Sequence, residues 1–164
     1  SALLINLGAG SYTAILKGKN GSSGIGVAEL YDLDLGTTNS RLANISTRAL
    51  VGTSYNVTIG GFIMAPNGGR VLIRGLGPSL SAFGITNPLP DPVVELYNSN
   101  GDVLASNDNW KSTEQAAIQD TGIPPTNDLE AALVATLPQG NYTAISHGKN
   151  GATGDGIVEM YSLT

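Results

Sequence analysis

Hydrophobic and polar residues alternate along most of the chain, and this alternation predicts short β-strands. Residues 70–76 are the clearest case, because Val71 and Ile73 fall on one face of the pleat while Arg70, Leu72 and Arg74 fall on the other. A period of two is the pattern of a half-buried strand. Further strands are predicted at residues 39–51, 55–65, 93–97, 102–106 and 129–137, with a bulge in the first of them.

Two short helical stretches interrupt the strands. Pro78 stands at an early helical position and predicts a turn of helix up to Phe83. Residues 112–121 form the second, with Ser112 or Thr113 as N-cap and Gly122 as C-cap. About eight strands with turn signals between them are typical of a sandwich. The sequence therefore predicts an all-β fold, a jelly-roll-like antiparallel β-sandwich with one or two short helices.

One stretch of the chain occurs twice, at a constant offset of 130 residues. Residues 9–33 are AGSYTAILKGKNGSSGIGVAELYDL, and residues 139–163 are QGNYTAISHGKNGATGDGIVEMYSL. The match extends backward, and seventeen of the 33 paired positions between 1–33 and 131–163 are identical. Chance does not produce such a match, so it is an internal repeat.

Each copy is predicted to be a β-hairpin, since two alternating arms flank a Gly-rich loop that contains Lys-Asn-Gly. We therefore divide the chain into an N-terminal hairpin segment, 1–35, and a complete sandwich unit, 36–164. Two explanations stay open: the chain is a slice of a longer tandem array, or the extra hairpin serves assembly. The predicted assembly residues alternate along the two arms: Tyr12, Ala14, Leu16, Val27, Glu29 and Tyr31.

Composition narrows the function classes. Charged residues are 13% of the chain and the net charge is −5, so the basic footprint of a nucleic-acid-binding protein is missing. No apolar run approaches the ~20 residues of a membrane span, and we expect no membrane insertion. Cysteine is absent, which excludes disulfides and thiolate sites. The chain lacks an initial Met and a signal peptide, so we expect a mature or excised product. Low charge, the absence of cysteine and few lysines favour a secreted or surface protein of a bacterium.

Residues 92–110, PVVELYNSNGDVLASNDNW, together with residues 137–163, resemble the bacterial pre-peptidase C-terminal domain and related secreted repeats. The shared pattern is a strand ending in Leu-Tyr, an Asn-Gly turn, a strand ending in Ala-Ser-Asn-Asp, and a Gly-x-Tyr strand. The resemblance implies a non-catalytic β-sandwich that sometimes binds calcium. The positions that match its ligands are Asn107, Asp108 and Asn109, and we add Asp91 and Asp128 as further candidates. Because calcium prefers several carboxylates, such a site would be weak.

Other residues that could carry chemistry have simpler structural explanations. His147 is the only histidine, and its counterpart in the first copy is Lys17, so we expect a surface-facing strand residue. Glu29 and Glu159 occupy equivalent positions and are expected to pair with Arg70 or Arg74 rather than form a glycosidase pair. Trp110 is expected to cap the core. We expect no catalytic residues and no enzyme.

Two hypotheses follow. The first is a structural module that self-associates into an extracellular filament, in which residues 9–33 complete an edge of a neighbouring molecule. A head-to-tail contact of this kind does not close and yields a homopolymer. The alternative is a calcium-assisted module on a secreted hydrolase or adhesin that binds a carbohydrate or a surface protein.

Overall fold

A computed structural model describes residues 1–33 and 42–163. The predicted boundary between residues 35 and 36, and the first residues of the predicted strand 39–51, lie outside this described part. The chain divides into two units, Ser1–Leu42 and Ala43–Thr164. None of the described helices is long and apolar enough to cross a membrane.

The second unit contains eight strands, as the sequence predicts. They are β1 (Asn44–Val51), β2 (Thr58–Met64), β3 (Gly69–Leu76), β4 (Pro92–Tyr97), β5 (Val103–Asn107), β6 (Ala131–Leu137), β7 (Gly140–Gly148) and β8 (Gly154–Ser162). A 3-10 helix, Pro78–Phe83, follows β3, and a short helix, α1 (Gln115–Gln119), precedes β6. The helix begins later than predicted because the Asn107 amide donates to the hydroxyls of Ser112 and Thr113, so neither residue caps it.

The strands form two antiparallel four-stranded sheets, in the orders β1-β8-β3-β6 and β2-β7-β4-β5. The pairs β1·β8, β2·β7, β3·β6 and β4·β5 are those of one long hairpin rolled up on itself. This is the arrangement of a jelly roll, so the predicted fold class is confirmed. The register of β1 with β8 is continuous, and the bulge predicted in this strand was wrong. The described sheets contain an irregularity between Leu96 and Tyr97 instead.

The main core lies between the two sheets, and the inward residues of alternating strands fill it. Tyr142 and Ala144 of β7 face Val158 and Met160 of β8 across this core. A second cluster lies on the opposite side of the first sheet and joins Leu72, Trp110, Ile118 and Ala132. Trp110 is thus part of the core, as predicted, and its indole Nε1 donates to the Asn127 carbonyl at 3.1 Å.

The closing arms of the sandwich do not form a hairpin, and that prediction was wrong. β7 pairs with β2 and β4 in one sheet, whereas β8 pairs with β1 and β3 in the other. Residues 149–153 connect the two sheets, which pack about 10 Å apart. Alternation shows which side chains of an arm face inward, but it does not show which strand lies beside that arm.

The predicted N-terminal β-hairpin also requires correction. Residues 1–33 contain a 3-10 turn at Lys19–Gly21 but no strand. The physical reason follows from the second copy, where each arm is held by two strands of its own sheet rather than by the other arm. Residues 1–33 include no such flanking strands, so the arms have no ladder to join.

Candidate functional site

The two copies of the repeat keep the same local backbone although their surroundings differ. Asn20 has φ 55° and ψ 33°, and its equivalent Asn150 has φ 54° and ψ 28°. Positive φ is uncommon outside glycine, although Asn tolerates it. The Tyr12 hydroxyl donates to the Gly8 carbonyl at 3.0 Å, and the Tyr142 hydroxyl donates to the equivalent Pro138 carbonyl at 3.1 Å. The first copy therefore holds its turn and its tyrosine contact without a sheet.

The side chains of the two copies differ in exposure. Tyr12 is 58% exposed and Tyr142 only 7%, while Leu30 is 53% exposed and its equivalent Met160 only 4%. The exposed large hydrophobic residues of the first copy are Leu3, Leu4, Ile5, Leu7, Tyr12, Ile15, Leu16, Ile25, Val27, Leu30, Tyr31 and Leu33. Five of them match positions that are buried in the second copy, namely Leu3, Leu7, Tyr12, Leu16 and Leu30. Residues 1–33 therefore carry core-type side chains that this structure leaves uncovered.

The six predicted assembly residues correspond to two different faces of the sandwich. Tyr12, Ala14 and Leu16 match the buried positions of β7. Val27, Glu29 and Tyr31 match the half-buried outer face of β8. The inward positions of the second arm are those of Ala28 and Leu30, which the sequence reasoning did not select. The apolar character of these two residues was the available signal.

An ion pair on the outer face of β8 confirms one sequence prediction. Arg74 of β3 binds Glu159 through its Nε at 2.9 Å and through a second guanidinium nitrogen. The same guanidinium donates to the Ile123 carbonyl at 2.8 Å and to the Tyr161 hydroxyl at 3.0 Å, and it lies 5.0 Å from the Tyr161 ring centre. Burial and the Glu159 charge raise the pKa of Tyr161, which keeps that hydroxyl neutral. This network ties β3 to β8.

Lys149, in the loop between the sheets, lies between two of the predicted calcium ligands. Its ammonium is 2.7 Å from Asp108 and 3.8 Å from Asp91, and its backbone N–H donates to the Asp91 carbonyl at 2.9 Å. The hydrogen bond and charge of Lys149 lower the pKa of Asp108, and Asp108 and Asp91 raise the pKa of Lys149. One ammonium thus pairs with both carboxylates at this point, and the closer contact is with Asp108.

The other predicted ligands lie in different environments. Asn107 is buried, and its amide oxygen accepts the Ala132 N–H at 3.0 Å. The Asn109 carbonyl accepts from the Asn107 amide at 3.1 Å. Asp128 is exposed and pairs with Lys111 at 2.6 Å. In the described part of the chain, no three acidic or histidine side chains group as a metal site would require. Calcium binding stays a prediction, and at Asp91 and Asp108 it would compete with Lys149.

Glu130 is a fully buried acid that the sequence reasoning did not single out. Its Oε1 accepts the backbone N–H groups of Gly77 and Ser79 at 3.1 and 3.0 Å, as well as the Ser79 hydroxyl. These bonds satisfy the start of the 3-10 helix and fix it to the start of β6. The position of Glu130 before an apolar strand gave no sign of this role.

A shallow cleft of about 620 Å³ lies on the outer face of the sheet that contains β7. Its polar wall joins His147, whose Nε2 is 3.7 Å from Glu95, to Tyr97, whose hydroxyl donates to Glu95 at 2.6 Å. This hydrogen bond raises the pKa of Tyr97. Tyr55 on the rim is 93% exposed. His147 is thus a partly exposed strand residue, as predicted.

Comparison with solved structures gives one match to report. The chain is similar to a pre-peptidase C-terminal domain. That domain belongs to a collagenase from Bacillus anthracis; the sequence identity is 13%, the TM-score is 0.43, and the match covers 73% of this chain and 88% of that chain. It is the kind of domain that the sequence resembles. No protein-family model and no curated protein match the chain, so we base the function on the residues of the chain itself.

Proposed function

We propose that this chain is a non-catalytic structural module of a secreted or cell-surface bacterial protein, and that it assembles with copies of itself through residues 1–33. One observation carries the proposal. Residues 1–33, called the duplicate segment from here on, repeat the last three strands of the sandwich but leave their core-type side chains exposed.

The duplicate segment carries a strong driving force for association. Burial of a large aliphatic or aromatic side chain stabilises by about 1.5–3 kcal/mol. Five exposed large side chains of the segment stand at positions that the second copy buries, namely Leu3, Leu7, Tyr12, Leu16 and Leu30. A series of exposed apolar side chains along one segment favours an interaction site. We therefore expect another surface to bury these side chains. Because the segment repeats strands of this sandwich, we expect that surface to be a sandwich of the same kind.

We expect the segment to associate as interior strands rather than by the addition at a sheet edge that the sequence suggests. The equivalents of the two arms, β7 and β8, are interior strands of their sheets. A chain carries one duplicate segment and one sandwich, so a contact between the segment of one copy and the sandwich of the next is head-to-tail. A head-to-tail contact that does not close into a ring leads to a filament.

Composition and the observed ion pairs support a secreted, non-catalytic role. Charged residues are 13% of the chain and cysteine is absent, so few side chains could act as catalytic acids, bases or nucleophiles. Its strand-borne carboxylates are in structural contacts, since Glu159 binds Arg74 and Glu95 binds Tyr97. The use of these carboxylates in structural contacts favours a non-catalytic structural role.

Electron microscopy and mass determination of the purified chain test the proposal. We expect filaments built from 16.8 kDa subunits. An Ala14→Pro variant should stay monomeric and keep the melting temperature of the unassembled parent chain, because proline removes a ladder donor in the exposed arm only. Filaments formed equally well by the proline variant would contradict assembly through residues 1–33.

The cleft beside Tyr55 supports a second candidate function, binding of a carbohydrate. An exposed tyrosine ring next to the Glu95 carboxylate and His147 provides an apolar face and hydrogen-bonding groups, which is the usual make-up of a ligand site. Titration with soluble polysaccharides should then show saturable binding that Tyr55→Ala weakens at least tenfold. The same affinity in the Tyr55→Ala variant would exclude this cleft.

A further inference from the structure

We propose that the duplicate segment is an interchangeable substitute for residues 131–163. In this structure those residues, called the closing segment, supply β6, β7 and β8 to the body formed by residues 43–130. We call the space they fill the slot: it lies beside β3 and between β1 and β3 in one sheet, and between β2 and β4 in the other. One body has one such slot. The inference rests on the proposed function and specifies its mode: the duplicate segment acts by replacing the closing segment of a body.

The inward side chains of the duplicate segment suit this slot. Tyr12 and Ala14 repeat Tyr142 and Ala144 unchanged, and Leu30 replaces Met160 in a volume-conserving exchange. In the β6 equivalent, Ser1 and Ile5 stand at the positions of the buried Ala131 and the partly buried Ala135. Two further differences, in the equivalents of β7 and β8, compensate each other. Ser146 and Val158 both border Gly75, and the duplicate segment has the larger Leu16 and the smaller Ala28 at these positions. Leu16 also removes the Ser146 hydroxyl, a buried group without a hydrogen-bond partner in the described structure.

The charged contacts are retained as well. Lys149 binds Asp91 and Asp108 of the body, and Glu159 binds Arg74 of the body. The duplicate segment has Lys19 and Glu29 at the equivalent positions, with Tyr31 in place of Tyr161. Both pairs can therefore form again with the same three body residues. In the exposed segment, Glu29 is within 3.3 Å of the neighbouring Tyr31 hydroxyl.

The glycine at position 24 of the duplicate segment is needed for steric reasons only when the segment occupies the slot. Gly154 has φ 155°, and a Cβ there would lie 2.7 Å from the Leu89 nitrogen. Its equivalent, Gly24, has no atom within 4 Å of a Cβ position. A glycine is thus required at this point in the packed state but not in the exposed one.

The chain connection allows the exchange within one molecule or between two. The last residues of β8 lie beside the start of β1, since the Ser162 N–H donates to the Ala43 carbonyl at 3.0 Å. Neighbouring strands are about 5 Å apart. Nine residues, 34–42, connect the duplicate segment to the same strand β1 and can span about 30 Å. Insertion into the chain's own body gives a circular permutant, and insertion into a second copy gives a polymer contact.

Proline scanning of the equivalent alanines in the full chain tests the exchange. Ala144 is fully buried in the middle of β7, so Ala144→Pro disables the closing segment. We expect Ala144→Pro to keep a cooperative thermal transition at a lowered temperature, because residues 1–33 close the body. The double variant Ala14→Pro/Ala144→Pro should lose the transition. A single variant as unfolded as the double variant would overturn the proposal.

Disulfide trapping provides a second measurement that does not require the proline variant to fold. The chain has no cysteine, and Thr143 pairs with Tyr97 of β4, an interior strand. Thr13→Cys/Tyr97→Cys should form a disulfide if the duplicate segment enters the slot, and Thr143→Cys/Tyr97→Cys is the matched control for the observed closure. A disulfide between positions 13 and 97 of one chain shows exchange inside one molecule, and a disulfide between position 13 of one chain and position 97 of another shows exchange between molecules. A disulfide in the control alone would overturn the proposal.

The two proposals fail in different ways. If Ala144→Pro folds and Thr13→Cys/Tyr97→Cys is trapped while the parent chain forms no filaments, the exchange stands and the filament function falls. If filaments form but neither exchange result appears, the duplicate segment assembles by another contact.

Discussion

Glu29 and Glu159 are identical residues at equivalent positions, but only Glu159 stabilises the sandwich. Its carboxylate receives two bonds from Arg74, and both side chains are mostly buried. From the sequence we could predict that a glutamate would pair with Arg70 or Arg74. The choice between the two arginines depends on the register of β3 with β8, in which Arg74 lies opposite Glu159.

Glu159→Gln should lower the free energy of unfolding by about 1.5–3 kcal/mol, because a buried guanidinium loses its charged acceptor. Urea unfolding followed by the fluorescence of Trp110, the single tryptophan, measures the loss. Glu29→Gln is the matched control and should change the monomer by no more than ~0.5 kcal/mol. Equal losses in the two variants would show that Glu29 already has a structural partner in the monomer.

At the scale of elements, the eight strands were predictable and their partners were not. The alternation in residues 70–76 and 139–163 locates β3, β7 and β8 within a few residues. The prediction that β7 and β8 form a hairpin was wrong, because a Gly-rich loop of five residues suits a hairpin and a crossing between sheets equally well. Sheet membership depends on contacts far along the chain, such as those of β8 with β1.

The candidate site shows the same division between local and distant information. The turn at Asn20 and Asn150 is encoded locally, so both copies form it. The ammonium of Lys149 between Asp91 and Asp108 joins three separate segments. The family resemblance implied Asn107, Asp108 and Asn109 as metal ligands, whereas the Asn107 side chain bonds β6 and the segment that precedes α1.

At the scale of the whole molecule, the chain contains one body and two segments that fit its slot. The structure shows the closing segment in place and the core-type residues of the duplicate segment exposed. One segment is therefore always in excess, whichever of the two closes the body. When the excess segment of one copy enters the slot of the next, it displaces that copy's closing segment, so the copies are linked in a line while one segment per copy stays exposed.

Hydrogen–deuterium exchange of the assembled and dilute chain tests this account most directly. In the dilute monomer, amides of residues 12–16 and 27–31 should exchange at once, since these arms lack a ladder. In the assembled fraction they should reach the protection that residues 142–146 and 157–161 show in the dilute monomer. Assemblies in which both arms of the duplicate segment still exchange at the unprotected rate would contradict the account.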